Sequence, residues 1–233
     1  MHIVPVTAIP SYGAFRHLRN VTFAFLLCLA APVAAPAWAE TLEVVALGDS
    51  LTAGYGLPPE EGYVPQLQAW LQAQGQDVVV MNAGVSGDTT AGGLSRLDWS
   101  LSPETDALIV NLGGNDLLRG LDPAQAAANL DKILTTAETR GLPVLLVGLR
   151  ALNNYGPDYK AAFDAIYPTL AAKHHDLYYP DHFAALKASE SDPQALAEWM
   201  QPDGLHPNAD GVARIVADVG PEVIALLDEA RAK

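Results

Sequence analysis

The chain has 233 residues, half of them hydrophobic and 17 % charged, with 27 acidic residues against 13 basic ones for a net charge of −14. Such an acidic surface is repelled by nucleic acid and by anionic lipid, so neither is an expected partner. A lone cysteine, Cys28, excludes a disulfide framework and a thiolate metal site.

Residues 1–39 read as a removable export leader. Arg16 and Arg19 precede the apolar stretch 21–31, and Ala37-Trp38-Ala39 stands before Glu40 as a cleavage site. The apolar run is shorter than the roughly 20 residues a spanning helix needs, and Pro32 and Pro36 interrupt the chain just after it, so no stable membrane anchor is expected. The expected destination is a periplasm or the cell exterior. The leader holds two of the 13 basic residues, none of the 27 acidic ones and the only cysteine, which leaves 11 against 27 in residues 40–233, a net charge of −16. That remainder is long enough for one domain with a sizeable core, nothing in it divides it, and nothing demands more than a monomer.

In chain order, the apolar runs 42–47, 78–81, 107–112, 144–149 and 177–179 read as strands. Residues 63–74, stopped by Gly75, and 123–140, opened by Asp122-Pro123 and stopped by Gly141, read as helices. Strand runs without apolar/polar alternation are buried on both faces, so the β-α-β-α rhythm predicts a three-layer α/β/α sandwich around a five-stranded parallel sheet. Val212, Ile215, Val216 and Val219 form a core-facing stripe on the last helix, with a kink expected near Gly220-Pro221.

Ligands of open parallel sheets gather beyond the carboxyl ends of the strands. The residues found there are Gly48-Asp49-Ser50-Leu51, Asn82-Ala83-Gly84-Val85-Ser86-Gly87-Asp88 and Gly113-Gly114-Asn115-Asp116, joined near the end of the chain by Asp203-Gly204-Leu205-His206. A serine hydroxyl becomes a nucleophile only beside a base, usually a histidine oriented by a carboxylate. Of the four histidines after the leader, His174, His175 and His182 read as solvated surface residues. His206 follows Asp203 by three positions, so one loop supplies a base and its orienter. Acyl transfer also needs fixed donors for the negative charge that grows on the carbonyl oxygen. The side-chain amide of Asn115 and a loop glycine fit that task, although the spacing alone does not separate Gly84 from Gly87. Asp49, Asp88 and Asp116 read as residues that cap or brace these loops.

Other chemistries lack their residues. Segment 48–56 has no Gly-Lys-Ser/Thr ending of a phosphate loop, there is no Gly-x-Gly-x-x-Gly fingerprint and no Gly-x-Ser-x-Gly elbow, and no His-Glu-x-x-His points to zinc. No cofactor is expected.

The four blocks, with "LGGNDLLRG" at 112–120 and "NYGPDYKAAFDAIYPTL" at 154–170, resemble the SGNH hydrolases, the GDSL esterase and lipase superfamily, from about residue 41 to 219. The likeness is greatest to the thioesterase I, protease I and lysophospholipase L1 branch and its arylesterase relatives. The resemblance implies a flavodoxin-like fold. It also implies Ser50 as nucleophile, His206 as general base, Asp203 as its orienter, and an oxyanion hole of the Ser50 and Gly87 backbone N–H groups and the Asn115 side chain. By the same resemblance the substrates are carboxylic esters, lysophospholipids or acyl thioesters; expected export, away from cytoplasmic acyl carriers, favours esters and lysophospholipids. Segments 149–159 and 181–200 would shape preference, and Leu117, Leu118, Tyr155 and Trp199 would favour lipid-like or aryl acyl groups. The competing readings are a carbohydrate O-deacetylase of the same fold and an exported binding module without turnover.

Overall fold

The computed structural model describes residues 41–187 and 196–233; the expected leader and part of the 181–200 segment lie outside them. Five parallel strands form one sheet in the order β2-β1-β3-β4-β5. They are β1 (Leu42–Gly48), β2 (Val78–Gly84), β3 (Thr105–Asn111), β4 (Val144–Val147) and β5 (Leu177–Tyr179). After β1 the chain first builds outward to β2 and then crosses to β3 on the other side, so the carboxyl end of β1 lies at the point where the winding reverses.

Successive β1 side chains serve opposite faces. Val44 and Ala46 enter one core with α2 (Tyr63–Ala73) and the last helix, Ala209–Arg231, whereas Val45 and Leu47 enter a second core with the helices Pro123–Thr139 and Ile166–His174. All four are essentially inaccessible to solvent, and burying each of the valine and leucine side chains stabilises the fold by about 1.5–3 kcal/mol. The three-layer α/β/α sandwich is thus the observed architecture.

β2 departs from the expectation of burial on both faces. Val79 and Met81 are 45 % and 46 % exposed, because β2 is an edge strand and, among the described residues, no helix covers the face they occupy. β2 also runs on to Gly84, three residues past the expected end, and β4 stops at Val147, two residues short. Helix boundaries follow local chemistry: Asp122 accepts from the Ala124 N–H ahead of Pro123, and the stop glycines Gly75 and Gly141 have φ of 78° and 70°. The last helix continues through Pro221, with Gly220 pressed against the Trp70 ring, where a Cβ would come within 2.4 Å.

Candidate active site

Ser50 opens α1 (Ser50–Ala53), the short helix that follows β1 directly. Asp49 caps it by accepting from the Leu51 N–H at 3.0 Å, so the strand-to-helix turn lifts Ser50 to the top of the sheet. Ser50 Oγ lies 2.8 Å from His206 Nε2, and His206 Nδ1 lies 2.6 Å from Asp203 Oδ2. A neutral ring donating from Nδ1 to the carboxylate accepts the Ser50 hydroxyl at Nε2, the arrangement a general base requires.

The loop that carries the pair is tied down at several points. Asp203 Oδ1 accepts from the Leu205 and His206 N–H groups at 2.9 and 3.0 Å. Gln201 N–H donates to His206 O, and the Gln201 amide donates to Tyr55 O and Pro207 O. The Tyr55 ring packs against the imidazole at 4.7 Å between centroids. Hydrogen bonds from His206 and Leu205 hold the Asp203 carboxyl down at about 2, so it remains charged in the folded protein at ordinary pH.

Asn115 lies on the short helix Gly114–Leu118, just beyond β3, and its Nδ2 donates to Asp49 Oδ2 at 3.4 Å. Asp49 is therefore more than a local cap. It is buried, and loss of solvation pushes its carboxyl up to about 6 against hydrogen bonds from Leu51 and Asn115 and the nearby His206. Asp116 braces the same helix by accepting from the Thr90 N–H at 2.8 Å and the Thr90 hydroxyl at 2.7 Å. Asp88 pairs with Arg96 at 2.6 Å, and Arg96 also donates to Ala83 O and Gly48 O, locking the ends of β1 and β2 to the loop between β2 and the next helix. Both aspartates thus brace loops as expected.

The two glycines left open by the sequence separate on packing. A Cβ on Gly84 would lie 2.3 Å from the Ala53 backbone nitrogen, so that glycine lets β2 pass against α1. Gly87 stands in an open loop at φ 88°, with its carbonyl accepting from Arg119.

A cavity of about 120 Å³ adjoins Ser50, His206, Asn115 and Asp49 and is walled by Leu51, Leu117, Leu118, Leu149, Phe183 and Leu205, with Arg150 at its edge. Gly87 is not part of this wall. Of the apolar side chains expected at the site, Leu117 and Leu118 line the cavity. Tyr155 donates its hydroxyl to Leu118 O, and Trp199 lies elsewhere, beneath the Arg214 guanidinium at 3.7 Å. Phe183, Leu205 and Leu51 gave no individual signal in the sequence, since each is an ordinary apolar residue in a loop or short helix.

Two histidines are not solvated as expected. His182 is 2 % exposed, lies between Tyr63 and Phe183, and has Nδ1 3.1 Å from Asn111 Nδ2; burial pushes its pKa down to about 4. His174 is held between Asp131 at 2.7 Å and Glu138 at 3.4 Å with its side chain 5 % exposed. His175 is the exposed left-handed cap of its helix, as a surface residue should be. Among the described residues no cluster suited to a metal ion occurs.

Comparison with known proteins gives the family. The sequence model of the GDSL-like Lipase/Acylhydrolase family matches residues 46–214. The chain is 40 % identical over 190 residues to Esterase TesA of Pseudomonas aeruginosa, covering 81 % of this chain and 90 % of that protein. It is 36 % identical to the Arylesterase of Vibrio mimicus, covering 89 % and 98 %. Among solved structures, AlinE4, described as an SGNH-hydrolase family esterase, superposes with a TM-score of 0.64 at 42 % identity, over 81 % of this chain and 97 % of that one. The chain belongs to the GDSL-like lipase/acylhydrolase family and is an SGNH-type serine hydrolase.

Proposed function

We propose that this serine esterase cleaves carboxylic esters in two steps through an acyl-enzyme on Ser50. The observation that carries the proposal is the continuous hydrogen-bond chain from Ser50 Oγ through His206 to Asp203, at 2.8 and 2.6 Å. Ser50 attacks the ester carbonyl while His206 Nε2 takes the hydroxyl proton. The same imidazolium returns that proton to the departing alcohol, and Asp203 stabilises the positive ring in between. In the second step His206 deprotonates water, which attacks the acyl carbon, and the acid leaves as Ser50 regains its proton.

The Asn115 amide and the backbone N–H groups of Ser50 and Gly87 are assigned to the oxyanion. Asn115 is supported by its place in the cavity wall and Gly87 by the open loop it occupies, in contrast to the packed Gly84. The leucine-rich wall supports apolar or aryl acyl groups, including those of lysophospholipids, over the acetyl groups of a polysaccharide. Chains longer than the cavity would leave it past Leu118, which is 55 % exposed.

Residues 1–39 are assigned as an export leader from Arg16, Arg19, the apolar stretch and Ala37-Trp38-Ala39. Among the described residues no helix is long and apolar enough to cross a membrane. N-terminal sequencing of the exported protein should begin at Glu40.

Hydrolysis of p-nitrophenyl esters from acetyl to long acyl, with wild type and Ser50→Ala side by side, tests the function. Turnover by wild type alone, with an optimum beyond acetyl, is expected. A Ser50→Ala enzyme of wild-type rate would overturn the assignment, and an acetyl optimum would favour the deacetylase.

A further inference from the structure

Away from Ser50, His206, Asn115 and Asp49 the cavity wall is apolar except for Arg150, and Arg150 also lines a second, larger cavity of about 610 Å³. That cavity is built from the two segments flanking β4 and β5 and carries Lys160, Asp164, Asp181 and Lys187. Its lysines are already matched. Lys160 Nζ lies 2.7 Å from Asp164 Oδ2 and donates to Ala151 O at 2.6 Å, and Lys187 pairs with Asp181. Arg150 has no carboxylate partner among the described residues. The lining therefore bears three cations and two carboxylates, an excess of one positive charge on a chain whose net charge is −14.

The backbone beside Arg150 is fixed from both sides. The Ala151 N–H donates to Asp164 Oδ1 at 2.7 Å while Lys160 holds the Ala151 carbonyl. A guanidinium starting from an anchored backbone at the junction of a reactive cavity and a polar one presents a planar fork suited to a carboxylate or phosphate. On a chain of net negative charge, this local excess of positive charge lies beside the Ser50 cavity, where it can meet a bound ester.

We propose that Arg150 is a specificity-determining residue that forms an anion subsite, selecting esters that carry a carboxylate or phosphate a few atoms from the bond to be cleaved. The proposal rests on the reading of Ser50 as nucleophile. The guanidinium is solvated, so the selection is modest, on the order of tenfold, and weakens as salt screens it.

Two matched substrate pairs test it. 1-Butanoylglycerol 3-phosphate against 1-butanoylglycerol places the anion on the alcohol, and the p-nitrophenyl monoester of glutaric acid against p-nitrophenyl pentanoate places it on the acyl group. Each is measured as kcat/KM with wild type, Arg150→Gln and Arg150→Lys, at low and high salt. In one pair wild type should favour the anionic member about tenfold, Arg150→Gln should abolish that preference, and Arg150→Lys should keep part of it. Turnover of the neutral ester by each protein sets that protein's own baseline, and the anionic-to-neutral ratio is the readout. The responding pair tells a phosphate-bearing alcohol from a carboxylate-bearing acid. Equal anionic-to-neutral ratios in wild type and Arg150→Gln for both pairs, with neutral turnover intact, would overturn the subsite alone. Absence of neutral-ester turnover in wild type would overturn the esterase reading and the subsite with it.

Discussion

The buried carboxylate of Asp49, next to Ser50 in the chain, receives the Asn115 amide at 3.4 Å and the Leu51 N–H at 3.0 Å. One carboxylate thus orients both the helix that presents Ser50 and the side chain assigned to the oxyanion. Asp49→Asn keeps the shape but lets the Asn115 amide turn. Its kcat should fall by about tenfold or more with little change in KM, because the lost interaction acts chiefly on the transition state. Equal kcat in the two proteins would show that Asp49 serves only as a cap.

Asp49 also leaves a mark on stability. A folded pKa of about 6 against an ordinary 3.8 means that the native state keeps a proton which the unfolded chain has released between those values. Asp49 therefore lowers stability as pH rises from about 4 to 6, by up to about 3 kcal/mol. Urea melts at pH 4, 5, 6 and 7 should show wild type losing stability relative to Asp49→Asn across that range. Parallel curves would contradict the burial penalty.

His182 acts in the opposite direction. Burial holds it neutral down to about pH 4, whereas the unfolded chain takes up a proton near 6.5, so its contribution is intact above 6.5 and is lost as pH falls towards 4. The loss amounts to as much as about 3 kcal/mol. His182→Gln, whatever its stability at neutral pH, should lack this acid-side fall, and the difference between its melts and those of wild type at pH 7 and pH 4 measures it.

Asn115→Ala removes one donor assigned to the oxyanion and should lower kcat by about 10²–10³ while KM changes little. Steady-state rates on a p-nitrophenyl ester provide the check, and a fall in kcat of less than threefold would remove Asn115 from the site.

Gly84→Ala and Gly87→Ala should fail differently. The new methyl on Gly84 meets backbone at 2.3 Å, so α1 must shift, at a cost of several kcal/mol or loss of folding. At Gly87 the space is open and only the positive φ of 88° opposes the side chain, for about 1–2 kcal/mol. Thermal melts of the two variants should rank them in that order.

Residues whose chemistry is local were legible in the sequence. Ser50 follows an apolar strand, Asp203 precedes His206 by three positions, and glycines stop the helices, all within a few residues. What was not legible depends on neighbours distant along the chain. His182 looks like a loop histidine until Tyr63, Phe183 and Asn111 close around it. Asp49 looks like a cap until β3 brings Asn115 beside it. Val79 and Met81 look buried because an apolar run carries no sign that its strand stands at the sheet edge. Trp199, expected near the acyl group, found Arg214 instead.

The central claim is that Ser50 carries the acyl group. It is tested most directly by intact-mass measurement after mixing with a slowly released p-nitrophenyl ester, quenching in acid, and digesting the protein to locate the adduct. Wild type should gain the mass of one acyl group on the peptide containing Ser50 and release a stoichiometric burst of p-nitrophenol, and Ser50→Ala should show neither. An adduct on another residue, or an equal burst from Ser50→Ala, would contradict the account.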